Sequence, residues 1–141
     1  MVGNKQLRLV LTTPEKTLID ELVHDLRFPL YDGQMGVFPG RAPLVGRLGF
    51  GELRYAEVSN PARHHSYFID GGFVQIKGEV VTILTNRAIP VEQLNRAQAE
   101  EQYRAATNRQ THNELELTAK ERDVQRARQL LALARKTHTG A

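Results

Sequence analysis

The sequence predicts an all-β N-terminal domain, an antiparallel β-sandwich or flattened barrel over residues 1–88. A C-terminal antiparallel α-helical hairpin follows over 89–141. Three observations predict this. Residues 7–84 carry short apolar runs that alternate with polar residues or are cut by turn residues. The apolar period changes at Pro90. Val91 to Ala106 then contains neither glycine nor proline, the two residues that most readily interrupt a helix.

Leu7, Leu9 and Leu11 alternate with Arg8, Val10 and Thr12, the period-2 pattern of a half-buried strand. After a Pro14-Glu15-Lys16 turn, Leu18-Ile19 and Leu22-Val23 continue. Leu26, Phe28 and Leu30 alternate next, and Pro29 places this strand at an edge or a bulge, because proline cannot donate to a ladder. Leu53 and Tyr55 lead to a Ser59-Asn60-Pro61 turn. In Tyr67-Phe68-Ile69, Asp70-Gly71-Gly72, Phe73-Val74-Gln75-Ile76 the glycines are expected to break the run. Lys77-Gly78-Glu79 is a hairpin turn into Val80-Val81-Thr82-Ile83-Leu84. Short strands with regular turns and no intervening helix suit a sandwich or barrel.

Pro90 suits the first turn of a helix. Thr107 to His112 is polar and reads as a connection. Asn113 followed by Glu116 approaches a capping box, and the second helix is expected to run to about Lys136, with Gly140 beyond it. Its apolar seam, Leu117, Val124, Ala127, Leu131 and Ala134, is thin and interrupted by Lys120; the first helix offers Leu94, Ala97, Ala99 and Tyr103. A fully buried Leu contributes about 1.5–3 kcal/mol, against roughly 1–2 kcal/mol per residue for fixing backbone. The hairpin is therefore expected to be marginal alone and able to hold more than one arrangement.

The chain has 141 residues and is 40% hydrophobic. Its mean hydropathy of −0.43 and the lack of a run near ~20 apolar residues exclude a membrane-embedded chain. There is no secretory signal pattern and no cysteine, which fits a cytoplasmic compartment. The net charge of +3 is uneven: residues 1–86 carry nine basic and nine acidic side chains, and the whole excess lies in residues 87–141. From Lys120 onward six basic side chains face two acidic ones, so this end seeks an acidic partner.

Catalytic chemistry is not legible. His64-His65 and His24-Asp25 are neighbours on strands, where adjacent side chains point to opposite faces, so neither pair is expected to share a metal or act as a dyad. Ser59 and Ser66 lie in no Gly-x-Ser-x-Gly setting. The expectation is no catalytic residue, no metal and no required cofactor. The composition also allows an adaptor whose basic helical tail binds nucleic acid or an anionic surface.

One loop carries more information. Asp32-Gly33-Gln34-Met35-Gly36-Val37-Phe38-Pro39-Gly40-Arg41-Ala42-Pro43-Leu44 packs three glycines and two prolines between strand-like runs. It reads as a rigid turn with Gly36 or Gly40, or both, at positive φ. It is a poor phosphate loop: it lacks Gly-Lys-Ser/Thr at its end, and Pro39 removes an N–H. This stretch resembles the signature of epsilon subunits of F-type ATP synthases (bacterial and chloroplast type). Leu48-Gly49-Phe50-Gly51-Glu52-Leu53-Arg54-Tyr55 and Tyr67 to Ile76 agree in order and spacing, and Arg41 stands where that family usually has histidine.

The resemblance implies a non-catalytic central-stalk subunit of an ion-transporting complex, linking the gamma subunit to the c ring in proton-driven ATP synthesis. It implies peripheral attachment at the cytoplasmic face of the bacterial membrane, and no nucleic-acid partner. Asp32, Gly33 and Gln34 would face the c ring, and Arg41 the gamma subunit. The hairpin would restrain ATP hydrolysis when extended, with Arg122, Arg126, Arg128, Arg135 and Lys136 meeting acidic segments of the alpha and beta catalytic subunits. Some relatives bind regulatory ATP through Ile/Leu-Asp-x-x-Arg-Ala. The stretch matched to it here is Glu92-Gln93-Leu94-Asn95-Arg96-Ala97, with Arg96 kept and Glu92 offering a displaced carboxylate.

Overall fold

The alternating leucines at 7, 9 and 11 set the first strand, β1 (Leu7–Thr12), and all three are fully buried. In the computed structural model, which describes residues 6–40 and 42–139 and the side chains as far as 137, six further strands follow. They are β2 (Thr17–Leu30), β3 (Gly33–Val37), β4 (Leu44–Glu57), β5 (His64–Lys77), β6 (Val80–Leu84) and the short β7 (Ala88–Pro90). The chain divides into two compact units, Met1–Ala88 and Ile89–Ala141.

In the first unit β1, β6, β5, β4 and β2 are neighbours in that order, and β2 returns to β1, so the sheet closes on itself. β3 hangs from β2 as a hairpin. All neighbouring pairs in the closed ring are antiparallel except β1 and β6, which run parallel. Five strands that alternate direction around a closed ring must leave one parallel pair, and the expectation of an antiparallel barrel holds up to that one seam. The core within the ring includes Leu7, Leu9, Leu11, Leu26, Phe28, Leu53, Ile69, Ile76 and Ile83.

The three 14-residue strands must bend to serve both halves of the flattened barrel. β2 pairs with β1 as far as Val23 and with β3 from Leu26. Its register against β4 shifts between Val23 and Asp25 and again between Arg27 and Leu30. Pro29 sits inside the second shift, where its missing N–H costs no ladder bond. β5 does not break at its glycines as the sequence suggested; it is one strand bent at Gly72. There φ is +114°, and a Cβ would lie 1.8 Å from the carbonyl oxygen of Leu84 and 2.9 Å from Cα of Thr85. Backbone meets backbone, so no side chain fits. The bend is tied by its neighbours. The Asp70 amide donates to the Arg87 carbonyl (3.1 Å) and to Thr85 Oγ1 (3.2 Å), and Asn86 Nδ2 donates to the Asp70 carbonyl (3.3 Å). This explains why Thr85, the one buried polar residue among those described, is tolerated.

In the second unit the predicted helix from Pro90 is interrupted. A single 3-10 turn (Val91–Gln93) precedes the helix α1 (Arg96–Asn108). Asn95 caps α1, its side-chain oxygen accepting from the Gln98 amide at 3.0 Å. α2 (Glu114–Thr139) begins as predicted at Asn113, whose Oδ1 accepts from the Glu116 amide at 2.8 Å. The Glu116 carboxylate reaches back to the His112 amide (2.7 Å), one residue before the expected partner. The apolar seam is displaced toward the C-terminal end. Ala127, Leu130, Leu131, Leu133 and Ala134 are buried, whereas Leu117 is 44% exposed and Leu115 83%.

Gly72→Ala is expected to destabilise the chain by more than about 3 kcal/mol, since it combines backbone overlap with a strained φ. Gly36→Ala, with open space around it, is expected to change stability by no more than about 0.5 kcal/mol. Thermal unfolding followed by circular dichroism reads both.

Candidate functional site

The loop singled out in the sequence begins at the β2–β3 turn. Asp32, Gly33 and Gln34 are all exposed at its tip, with Gln34 opposite Pro29 in the β2–β3 ladder. At the other end of the loop Gly40 has φ +92°, while Gly36 does not take positive φ. The Gly40 amide donates to Glu79 Oε2 at 3.2 Å, so the β5–β6 turn holds this end in place. Arg41 lies outside the described residues.

The tip continues into a feature the sequence reading missed. The Tyr31 amide donates to the Arg47 carbonyl at 2.8 Å, and the Arg47 guanidinium lies over the Tyr31 ring, 4.7 Å from its centre. Arg47 stands opposite Phe73, Phe73 opposite Leu84, and Leu84 opposite Thr12. Directly opposed residues share a face, so these side chains form one row across β4, β5, β6 and β1. Tyr31 is 68% exposed, Phe73 59% and Leu84 52%. A depression of about 390 Å³ lies along the row, lined by Thr12, Pro14, Arg47, Phe73, Leu84 and Asn86. The signal was present in the phase of β5. Val74 and Ile76 are core, so Phe73 must face out; reading 73 and 74 as one apolar run hid it.

Of the six lysines and arginines of α2, the five singled out in the sequence do not make one stripe. Arg128 and Arg135 are two turns apart along one edge of the buried seam, and Arg122 and Arg126 lie four apart along the other. Arg135 comes within 3.8 Å of Glu100 of α1, and Arg122 within 3.7 Å of its neighbour Asp123. Arg128 and Lys136 are exposed. Glu92 and Arg96, matched to the ATP motif, are separated by the break at Leu94–Asn95. Arg96 Nε donates to Glu100 Oε1 at 3.2 Å. A depression of about 380 Å³ between α1 and α2 is lined by Glu100, Tyr103, Thr107, Leu131 and Arg135, among others, and by neither Glu92 nor Arg96.

The histidines need one correction. His24 Nδ1 and Asp25 Oδ2 are 2.7 Å apart, although adjacent strand residues were expected to diverge. The register shift at this point breaks the pleat, and the two side chains meet. His65 Nε2 lies 2.6 Å from Glu57 Oε2, and Arg63 Nε forms an ion pair with the same oxygen at 3.2 Å. Tyr55 stacks on His65 with ring centres 5.0 Å apart. Burial, reinforced by the Glu21 charge, raises the Tyr55 hydroxyl well above its ordinary pKa. No group of three His, Asp or Glu among the described residues is arranged to hold a metal ion. No helix among them is long and apolar enough to cross a membrane.

Residues 6–91 match the family model described as the ATP synthase delta/epsilon chain β-sandwich domain. A relative from Rhodopirellula baltica, an ATP synthase epsilon chain, is 41% identical over 129 residues, covering 92% of this chain and 98% of that protein. An ATP synthase epsilon chain from Pelotomaculum thermopropionicum is 32% identical over 77% of this chain and 78% of that one. Among solved structures, a chain of the Euglena gracilis mitochondrial ATP synthase, in an assembly of OSCP, F1 and c-ring, superposes with a TM-score of 0.81 at 26% identity. It covers 94% of this chain and 84% of that one. A chain of the Tetrahymena thermophila central stalk and c-ring shares the fold, with a TM-score of 0.71 at 12% identity.

The Glu57 cluster makes a pH prediction. The His65 hydrogen bond, aided by the charges of Arg63 and His65, holds the Glu57 pKa below its ordinary 4.5. A carboxylate with a lowered folded pKa stabilises the fold above its unfolded pKa and loses that contribution as pH falls through the folded value. Glu57→Gln should therefore lower the melting temperature at neutral pH, and the gap to wild type should close progressively below pH 4.5. Melting curves across that range check it.

Proposed function

The chain belongs to the delta/epsilon chain family of ATP synthase, and from that premise we propose that it is a rotor subunit joining the gamma subunit to the c ring. The observation that carries this is the exposed Tyr31–Arg47–Phe73–Leu84 row. Large apolar side chains aligned on a rigid sheet and rimmed by polar ones are the mark of a docking surface. The row is continuous with the Asp32–Gln34 tip, so a single face offers two adjoining contacts. We assign the row to the gamma subunit, together with Arg41, and the polar tip to the c ring. The chain itself does no catalysis; it is a subunit of the complex. Its place is peripheral, at the cytoplasmic face of the bacterial membrane through the complex, where it serves proton-driven synthesis.

The second unit supports a regulatory role. Its buried seam is short, alanine-rich and confined to one end of α2, so few apolar contacts favour any one arrangement. Its net positive end suits acidic segments of the alpha and beta catalytic subunits. Regulatory ATP is the weaker part of this reading: Arg96 is occupied by Glu100, and Glu92 lies beyond a break in the helix. A nucleotide would have to displace an existing ion pair.

Replacing Arg122, Arg126, Arg128 and Arg135 together by Ala is expected to raise ATP hydrolysis by the reconstituted complex while subunit incorporation stays unchanged. Each exposed pair contributes only about 0.2–1 kcal/mol, so single replacements should do little. The restraint should weaken with rising ionic strength, since such pairs are screened within ~10 Å at 0.1 M salt. Equal hydrolysis by wild-type and fourfold-replaced complexes at equal incorporation leaves the helix a structural tether. Salt-sensitive nucleic-acid binding, without co-purifying catalytic subunits, points to an adaptor instead.

A further inference from the structure

We propose that Arg27, Arg54 and His64, on the other half of the barrel from the docking row, form a binding site for a phosphate-type oxyanion. Arg27 of β2 stands directly opposite Arg54 of β4, and Arg54 opposite Ser66 of β5. Two like charges in that relation repel and are destabilising unless something sits between them. Nothing in the described chain does. Arg54 Nε is buried without a hydrogen-bond partner, and Arg27 makes no ion pair among the described residues. The nearby carboxylates are engaged: Asp25 lies 2.7 Å from His24, and Glu52 has a partner of its own.

The space for a ligand is already there. Arg27 is flanked on its other side by Gly36 of β3, where even a Cβ would touch nothing within 4 Å. The missing side chain leaves a depression of about 310 Å³, lined by Arg27, Arg54, His64, Gly36, Asp25 and Phe38. Two guanidinium groups present planar forks of N–H donors, which suit the several oxygens of a phosphoryl group. A phosphoryl group offers more acceptor oxygens than the two of a carboxylate, so it can meet both forks and His64 at once. His64 adds a donor at the edge. Phe38, 64% exposed, supplies an aromatic plane on the rim. The phosphoryl group could come from free phosphate or from a nucleotide stacked on Phe38. The site lies on the β-barrel and stands whether or not the chain docks on a rotor.

The test is calorimetric titration of the full chain with inorganic phosphate and with AMP in low-salt buffer, with chloride at matched ionic strength as control. Saturable phosphate binding is expected, weakened about tenfold or more in Arg27→Gln, as for loss of a hydrogen bond to a charged group. Without phosphate, Arg27→Gln should melt at or above the wild-type temperature because the repulsion is relieved; with phosphate it should lose the ligand-induced rise. Equal binding of phosphate and AMP identifies free phosphate as sufficient. Tighter AMP binding that falls to the phosphate level in Phe38→Ala identifies a nucleotide. The proposal is overturned by lack of saturation up to on the order of 10 mM phosphate, by an equal response to chloride, or by undiminished binding in Arg27→Gln. A lower melting temperature of that variant without phosphate overturns it too, because Arg27 would then already have a structural partner.

Discussion

The contact on which this architecture depends is the approach of Gly72 to the backbone of Leu84 and Thr85. A flattened barrel made of a few long strands has to turn corners, and β5 turns its corner there. With a side chain at 72, β6 could not lie at its present distance from the bend. The Asp70–Thr85–Arg87 bonds would open and the seam between β6 and β1 would lose its register. The same approach sets Phe73 directly opposite Leu84. The exposed row is thus a consequence of barrel closure, not an independent decoration of the surface.

The sequence made the repeating parts of this fold legible and hid the joints. Leu7, Leu9 and Leu11 announce β1 because burial on one face imposes strict alternation. Asn113 with Glu116 announces α2 because capping is local chemistry. The glycines at 71 and 72 read as a break because local rules treat paired glycines as turn formers; only the neighbouring strand shows why they bend a continuous one. The parallel β1–β6 seam follows from ring parity, which no local pattern contains. Asn95 was readable, since an Asn followed three residues later by Gln98 is a helix start, but Pro90 offered an earlier one. In α2 the seam read from the sequence took Leu117 and Val124 and passed over Leu130 and Leu133, which a wider apolar face includes. The His24–Asp25 contact arises from a register shift that reverses the expected pleat.

The candidate site was half legible. The loop from Asp32 to Leu44 stood out by composition, and its tip is exposed. The row beside it is assembled from strands far apart in sequence, so no contiguous motif could mark it. Physical chemistry assigns different tasks to the two units. An apolar face on a rigid sheet gives attachment that salt scarcely alters. A helical hairpin with a thin seam and scattered arginines gives weak contacts that salt and conformation can switch. On the proposed function, a subunit that stays attached while its hairpin changes state needs that separation.

The central claim is that the Phe73–Leu84 row fixes the chain in the complex. The most direct measurement is retention of Phe73→Asp in reconstituted ATP synthase, quantified after washing, beside a Val58→Asp control on a different part of the barrel. Phe73 is largely exposed, so the isolated variant should melt like wild type. Charging an interface centre costs about 2 kcal/mol or more, so retention should fall roughly thirtyfold, with the control unchanged. Wild-type retention of Phe73→Asp would contradict the assignment and move the attachment surface elsewhere on the chain.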